Sequence, residues 1–269
     1  MNREAFFAAL RRRDSGVFGT SLRQSQVEGT EAILDACAGL PLPCVAYILA
    51  TAYHETAYTM QPVRETLADT DAKAVARLER AWASGKLKWV KTPYWRFDAD
   101  GKTWLGRGYV QLTHKTNYAR ATKELGVDLV GNPGLAMHAP IAAKILVRGS
   151  MEGWFTGRKL PSYAAGDGFD YVNARAVING DVKGNGAKIA AEAKAFEAAL
   201  RAGGWSARVN EKPETVTRPA PQVKKPADPV IKPQPAPKLG IAGAIAVLLA
   251  ALGVWLADLI EPIRNLFGG

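Results

Sequence analysis

Apolar positions recur at helical spacing through most of the first two hundred residues. Asn2–Arg13, Gln24–Ala38, Cys44–Thr56, Asp71–Ser84, Asn117–Leu125, Ile141–Phe155, Tyr171–Ile178 and Lys188–Ala202 each suit a helix. Asp69 or Thr70 stands at the N-cap position of the fourth. The Ala, Leu, Lys and Glu content of the last favours a helix by intrinsic propensity. From Lys88 to Thr113 the pattern changes to Trp, Tyr, Thr and Val, with the turn dipeptide Asp100-Gly101 inside it. The pattern predicts a mainly α domain over residues 1–206 that contains one small β-hairpin region.

Two later zones depart from this pattern. Residues 207–238 lack large apolar side chains. Between Glu211 and Lys238 there are eight prolines in 28 residues, interspersed with Lys212, Lys224, Lys225, Lys232 and Lys238. Such composition builds no core and reads as a semi-rigid tether, reaching ~80 Å at ~3 Å per residue. Residues 239–257, LGIAGAIAVLLAALGVWLA, carry no charge. As a helix they span ~29 Å, about one hydrocarbon core. Lys238 and Asp258 bracket them, and Trp255 sits near one end, where an interfacial ring belongs. The expectation is a C-terminal transmembrane helix followed by a short tail, 258–269. Lysines precede the span and only Arg264 follows it. The positive-inside rule then places the domain initially in the cytoplasm of a bacterium, anchored to the inner membrane, from which it can act on the periplasmic wall. Met1–Arg13 is charged and lacks the apolar stretch of a signal peptide.

Composition narrows the function classes. The chain has 269 residues, 48% hydrophobic and 22% charged, enough apolar surface to exclude full disorder. Two cysteines, Cys37 and Cys44, are too few for a disulfide scaffold or a cysteine zinc site, and buried thiols are expected. A net charge of +10 predicts attraction to polyanions: nucleic acid, anionic lipid or acidic wall polymers. Neither GxGxxG nor GxxxxGKS occurs, which argues against a nucleotide cofactor.

Candidate chemistry begins at Tyr53-His54-Glu55-Thr56, which ends an apolar helix, and continues at Val63-Arg64-Glu65-Thr66. His54-Glu55 resembles the start of a zinc-protease helix, but position 58 is Tyr58, and His114 and His138 are the only other histidines. Two glutamates remain, ten residues apart, with Pro62 turning the chain between them. Glycoside hydrolysis needs such a pair, one carboxyl protonated to donate to the leaving oxygen and one ionised to activate water. The apolar run before Glu55 can desolvate it and raise its pKa, while Arg64 adjoins Glu65. From spacing alone, surface charges or helix caps would look the same.

Six of the 23 aromatics fall in the 21 residues from Trp89 to Tyr109, interleaved with Lys88, Lys91, Arg96 and Lys102. Such faces stack on sugars or on bases, and some of these rings belong to a core. The run Gly106-Arg107-Gly108-Tyr109-Val110-Gln111-Leu112-Thr113-His114-Lys115-Thr116-Asn117-Tyr118 follows. His54-Glu55-Thr56, this run, and then Val177-Ile178-Asn179-Gly180 together resemble the family 19 glycoside hydrolases, which include class I chitinases and phage endolysins.

The resemblance covers roughly residues 20–202 and implies a lysozyme-like α+β fold. It implies that Glu55 is the general acid and Glu65 the second carboxylate, across a loop much shorter than in plant chitinases. Gln111, Thr113 and Asn117 match cleft positions, Thr113 at the residue that helps to hold the attacking water. Tyr118 and Asn179 match cleft or scaffold positions. His54 is expected to orient the acid, Trp104 to face the substrate, and Arg107 to be a structural ion-pair residue. The implied reaction is inverting, without cofactor or metal. The partner expected is a peptidoglycan or chitin-type glycan, with the membrane as second partner and no nucleic acid. The reading this gives is an endolysin-type, muralytic glycosidase that hydrolyses the N-acetylated glycan strands of bacterial peptidoglycan; set against it are a chitinase acting on N-acetylglucosamine oligomers and a non-catalytic glycan-binding membrane protein.

Overall fold

The computed structural model describes residues 1–207, except 16 and 167. Helix α3, Leu42–Glu55, is its axis: twelve of its fourteen residues are buried, from Cys44 through Glu55. A helix apolar all round has to be enclosed by others. Helix α7, Ala187–Ala202, the last among the described residues, covers it most extensively, and α1, Arg3–Leu10, packs on α7. Helix α2, Gln24–Ala36, lies against α6, Ala139–Glu152. Cys37 and Cys44 are buried free thiols in this core, and burial pushes both up, Cys44 to about 11.

Two smaller cores complete the domain. One gathers Trp104, Leu112, Tyr118, Leu129, Ile145 and Trp154 around α5, Lys115–Leu125. The other gathers Leu78, Leu87, Trp95 and Leu105 beside α4, Asp71–Ala83. Thr70 caps α4, its side chain accepting from the Lys73 amide. A two-residue ladder, β1 (Val63–Arg64) against β2 (Arg107–Gly108), ties the loop after α3 to the motif segment. A second ladder joins β3 (Ala164–Ala165) to β4 (Gly168–Phe169).

Three expectations are corrected. The segment 88–113 forms no two-stranded hairpin of its own; its strand, β2, pairs with β1 some forty residues upstream, and inside the segment an isolated antiparallel bridge joins Arg107 to Leu112. The Asp100-Gly101 turn is closed by the Asp98 amide donating to the Lys102 carbonyl, while the Asp98 carboxylate accepts from the amides of Asp100 and Lys102. The helix expected over Tyr171–Ile178 is a 3₁₀ segment, Asn173–Val177, started by Asp170 accepting from the Asn173 amide. Finally, the fold class is a helical domain with small strands and no transmembrane helix: among the described residues, none is long and apolar enough to cross a membrane. Helix α3 is apolar but only 14 residues long, ~21 Å against a ~30 Å hydrocarbon core. The segment 239–257, on which the span was expected, lies outside the described residues, as does the tether 208–238. The inner-membrane location loses its support with it.

Candidate active site

The C-terminal end of α3 opens into a cavity of about 550 Å³. Glu55 lines it, together with Gln111, Thr113, Asn117 and Asn179. Five of the nine residues singled out in the sequence therefore meet at one wall, drawn from α3, the 106–118 run, α5 and the Asn179-Gly180 turn. Trp89, Lys91, Tyr94, His114, Phe155 and Ile178 complete much of the rest.

Glu55 is only 6% exposed. Burial raises its pKa; the charge and hydrogen bond of Arg175 oppose the rise, and Asp181 adds to it. Arg175, itself buried, donates through Nη1 to Glu55 Oε1 at 2.5 Å. On its other side it grips Asp181 with a fork, Nε to Oδ1 at 2.5 Å and Nη2 to Oδ2 at 3.2 Å. Asn185 donates to the same Asp181 Oδ2 at 2.5 Å. This Glu55–Arg175–Asp181 chain joins residues 120 apart in sequence at its Glu55–Arg175 link and escaped sequence reasoning. Its one signal was a single arginine four residues before Asn179.

Glu65 is 2% exposed and is not on the cavity wall. Tyr94, which does line the cavity, donates its hydroxyl to Glu65 Oε1 at 2.7 Å, and the Gly106 amide donates to Oε2 at 2.8 Å. Burial raises the Glu65 pKa, while the Gly106 and Tyr94 bonds and the Arg107 charge hold it back. Gly106 has to be glycine here: a Cβ would lie 2.7 Å from Gln111 Oε1. Gln111 adopts a left-handed φ of 52° and donates through Nε2 to the Val63 carbonyl at 2.9 Å, which leaves its buried Oε1 without a partner.

The chain between and just after the two carboxylates is tightly wound. Ala57, Tyr58 and Met60 between them, and Thr66 and Leu67 after Glu65, all hold positive φ without being glycine. Such conformations cost of order 1–3 kcal/mol each and persist only where surroundings enforce them. Gly29 of α2 admits this loop, because a Cβ there would lie 1.6 Å from the Met60 carbonyl oxygen.

The remaining residues singled out are placed elsewhere. Tyr118 is fully buried and donates to the Leu105 carbonyl at 2.8 Å, while Arg107 donates to its hydroxyl oxygen. Trp104 packs edge-on against Tyr118 and donates to Asp98. His54 lies at the α3–α7 contact, off the cavity wall. Arg107 is the ion-paired residue expected, bonded to Asp71 at 2.6 Å. Of the aromatic run, Trp89 and Tyr94 face the cavity while Trp95, Trp104 and Tyr109 are buried. No group of metal-binding side chains exists among the described residues.

Residues 46–164, which hold both glutamates and most of this wall, match the family of class I chitinases, glycoside hydrolase family 19. Over that stretch the chain is similar to the family 19 glycoside hydrolases. A rice protein, Chitinase 11 from Oryza sativa subsp. japonica, is 52% identical over 40 residues, which make up 15% of this chain and 16% of the rice protein. The chain thus aligns with about one sixth of that relative's length. No solved structure matches.

Proposed function

We propose that the domain is a glycosidase that hydrolyses polymers of β-linked N-acetylated sugars by acid-assisted attack of water. The reading is carried by one observation: a desolvated carboxyl, Glu55, at the wall of a cavity whose lining includes amide, hydroxyl and aromatic groups. Arg175 occupies Glu55 Oε1, so the proton belongs on Oε2, from which it passes to the glycosidic oxygen. Gln111, Thr113, Asn117 and Asn179 supply bonds to acetamido and hydroxyl groups, and Thr113 holds the attacking water. Trp89 and Tyr94 offer faces for sugar rings. Glu65 is the second carboxylate of an inverting pair; it stands behind Tyr94 and reaches the water when substrate displaces that hydroxyl.

Chitin-type oligomers are the first substrate class, in keeping with the name of the family matched. A second reading, the glycan strand of peptidoglycan, is favoured by Lys91 at the cavity wall and the net charge of +10, which suit the carboxylates of a muramyl-peptide polymer.

Purified wild-type chain and Glu55→Gln are to be compared on N-acetylglucosamine oligomers and on sacculi. Activity is expected to fall about 10²–10⁴-fold in Glu55→Gln, and its melting profile, read alongside, separates this loss from any destabilisation caused by removing a carboxylate partner of buried Arg175. Equal rates would remove the acid role. Mass spectrometry of the new reducing ends, and of their anomeric form at early times, identifies the substrate and tests inversion.

A further inference from the structure

Glu192 is placed oddly for a carboxylate. It follows Ile189 by three residues and precedes Phe196 by four, so it shares the face of α7 that packs on α3. Its side chain is 10% exposed. Opposite lies His54, 7% exposed, with Nδ1 3.9 Å from Glu192 Oε2. That separation exceeds a hydrogen bond, yet neither ring nitrogen of His54 nor Glu192 Oε2 has any other partner. Three buried polar atoms without partners at one helix contact are costly, and a side-chain shift of about 1 Å satisfies two of them together. The residue after His54 is Glu55.

We propose that Glu192 is a positioning residue of the active site: its carboxyl and the His54 ring share one proton, hold the ring beside Glu55, and place a titratable charge in the field of the guanidinium that clamps Glu55. The inference rests on the reading of Glu55 as the acid. The titratable and charged groups that act on the pair are Tyr53 on α3, Lys188 on α7, Arg175 and Asp181. Lys188 is engaged with the Tyr58 hydroxyl at 2.8 Å.

Burial pushes Glu192 up to about 7, against the pull of Lys188 and Arg175. Burial, then Arg175 and Lys188, push His54 down to about 4, against Asp181. The shared proton thus resides on Glu192 in mildly acidic solution and leaves near neutrality. The negative charge that appears then offsets part of the Arg175 field and helps Glu55 to keep its proton as the pH rises.

The test compares full-length wild type, Glu192→Gln and Glu192→Asp in hydrolysis of N-acetylglucosamine oligomers between pH 4 and 9, alongside ¹⁵N-histidine spectra. Glu192→Gln is expected to move the alkaline limb of kcat/KM to lower pH by about half a unit. It should also shift the ring nitrogens of one of the three histidines. Glu192→Asp, which keeps the ionisable group, should retain the wild-type limb. Coincident limbs for all three proteins, or equal displacement in Gln and Asp, would overturn the proposal. An inactive wild type would count against the proposed function instead; unchanged histidine resonances in Glu192→Gln would still overturn the contact.

Discussion

Arg175 keeps its charge in the interior because two carboxylates share it, Glu55 through one Nη and Asp181 through a fork. Breaking a buried ion set on one side is far costlier than the set is stabilising, since the surviving charges stay buried and unmatched. Arg175→Met therefore should lower unfolding free energy by about 3–5 kcal/mol, read from the midpoint of urea denaturation. The same change removes the charge and bond that hold the Glu55 pKa back, so the acid should keep its proton to higher pH. In any folded fraction the alkaline limb of activity moves up, opposite to the shift expected for Glu192→Gln. Two substitutions near one carboxyl with opposite signs separate an electrostatic account of the site from a packing account.

The short ladder between β1 and β2 sets Arg64 directly opposite Arg107, a pairing of like charges that should push the strands apart. Asp71, at the first turn of α4, resolves it. One of its oxygens accepts from Arg64 Nε at 2.7 Å and the other from Arg107 Nη2 at 2.6 Å. Burial raises the Asp71 pKa, but the bonds and charges of Arg107 and then Arg64 outweigh it, and the net shift is downward. A depressed carboxylate stabilises above its unfolded pKa, and that contribution is lost as pH falls below about 3.8. Asp71→Asn leaves Arg107, 1% exposed, short of its counter-charge. The expected cost is about 3 kcal/mol at pH 7, shrinking as pH falls below about 3.8 and the wild-type carboxylate takes up its proton, when measured by thermal melts across pH. This joint shows what the chain discloses in advance and what it does not. Helices α2, α3, α4 and α7 were legible because each carries its own apolar period, and Thr70 its own cap. The cavity residues Gln111, Thr113 and Asn117 were legible because one contiguous run holds them. Strand β1 and the Arg175 clamp were not, since each depends on partners 41 or more residues away that no local pattern announces. The hairpin expected at 88–113 is reduced to a closed turn at Asp98–Lys102 and one bridge, because β2 finds its strand partner in β1, which no pattern inside the segment announces.

Across the domain, the His54–Glu192 pair has a consequence for stability that neither residue has alone. In the unfolded chain His54 titrates near 6.5 and Glu192 near 4.5; in the fold they move to about 4 and about 7. Between pH 4.5 and 6.5 each state of the chain therefore holds one proton on the pair, on the imidazole when unfolded and on the carboxyl when folded. Equal proton counts give no slope of stability with pH. The contributions of opposite sign cancel: the depressed imidazole alone makes stability rise with pH through this window, and the raised carboxyl alone makes it fall. Glu192→Gln removes the falling contribution and exposes the rising one. Its unfolding free energy should climb with pH from 4 to 6.5 by up to about 3 kcal/mol relative to wild type, and then level off. Urea midpoints of both proteins at pH 4, 5, 6 and 7 measure this. Parallel curves would mean that the two side chains do not exchange a proton on folding. A wild-type curve flat through that window, with a sloping variant, would fix the proton on the carboxyl across the α3–α7 contact.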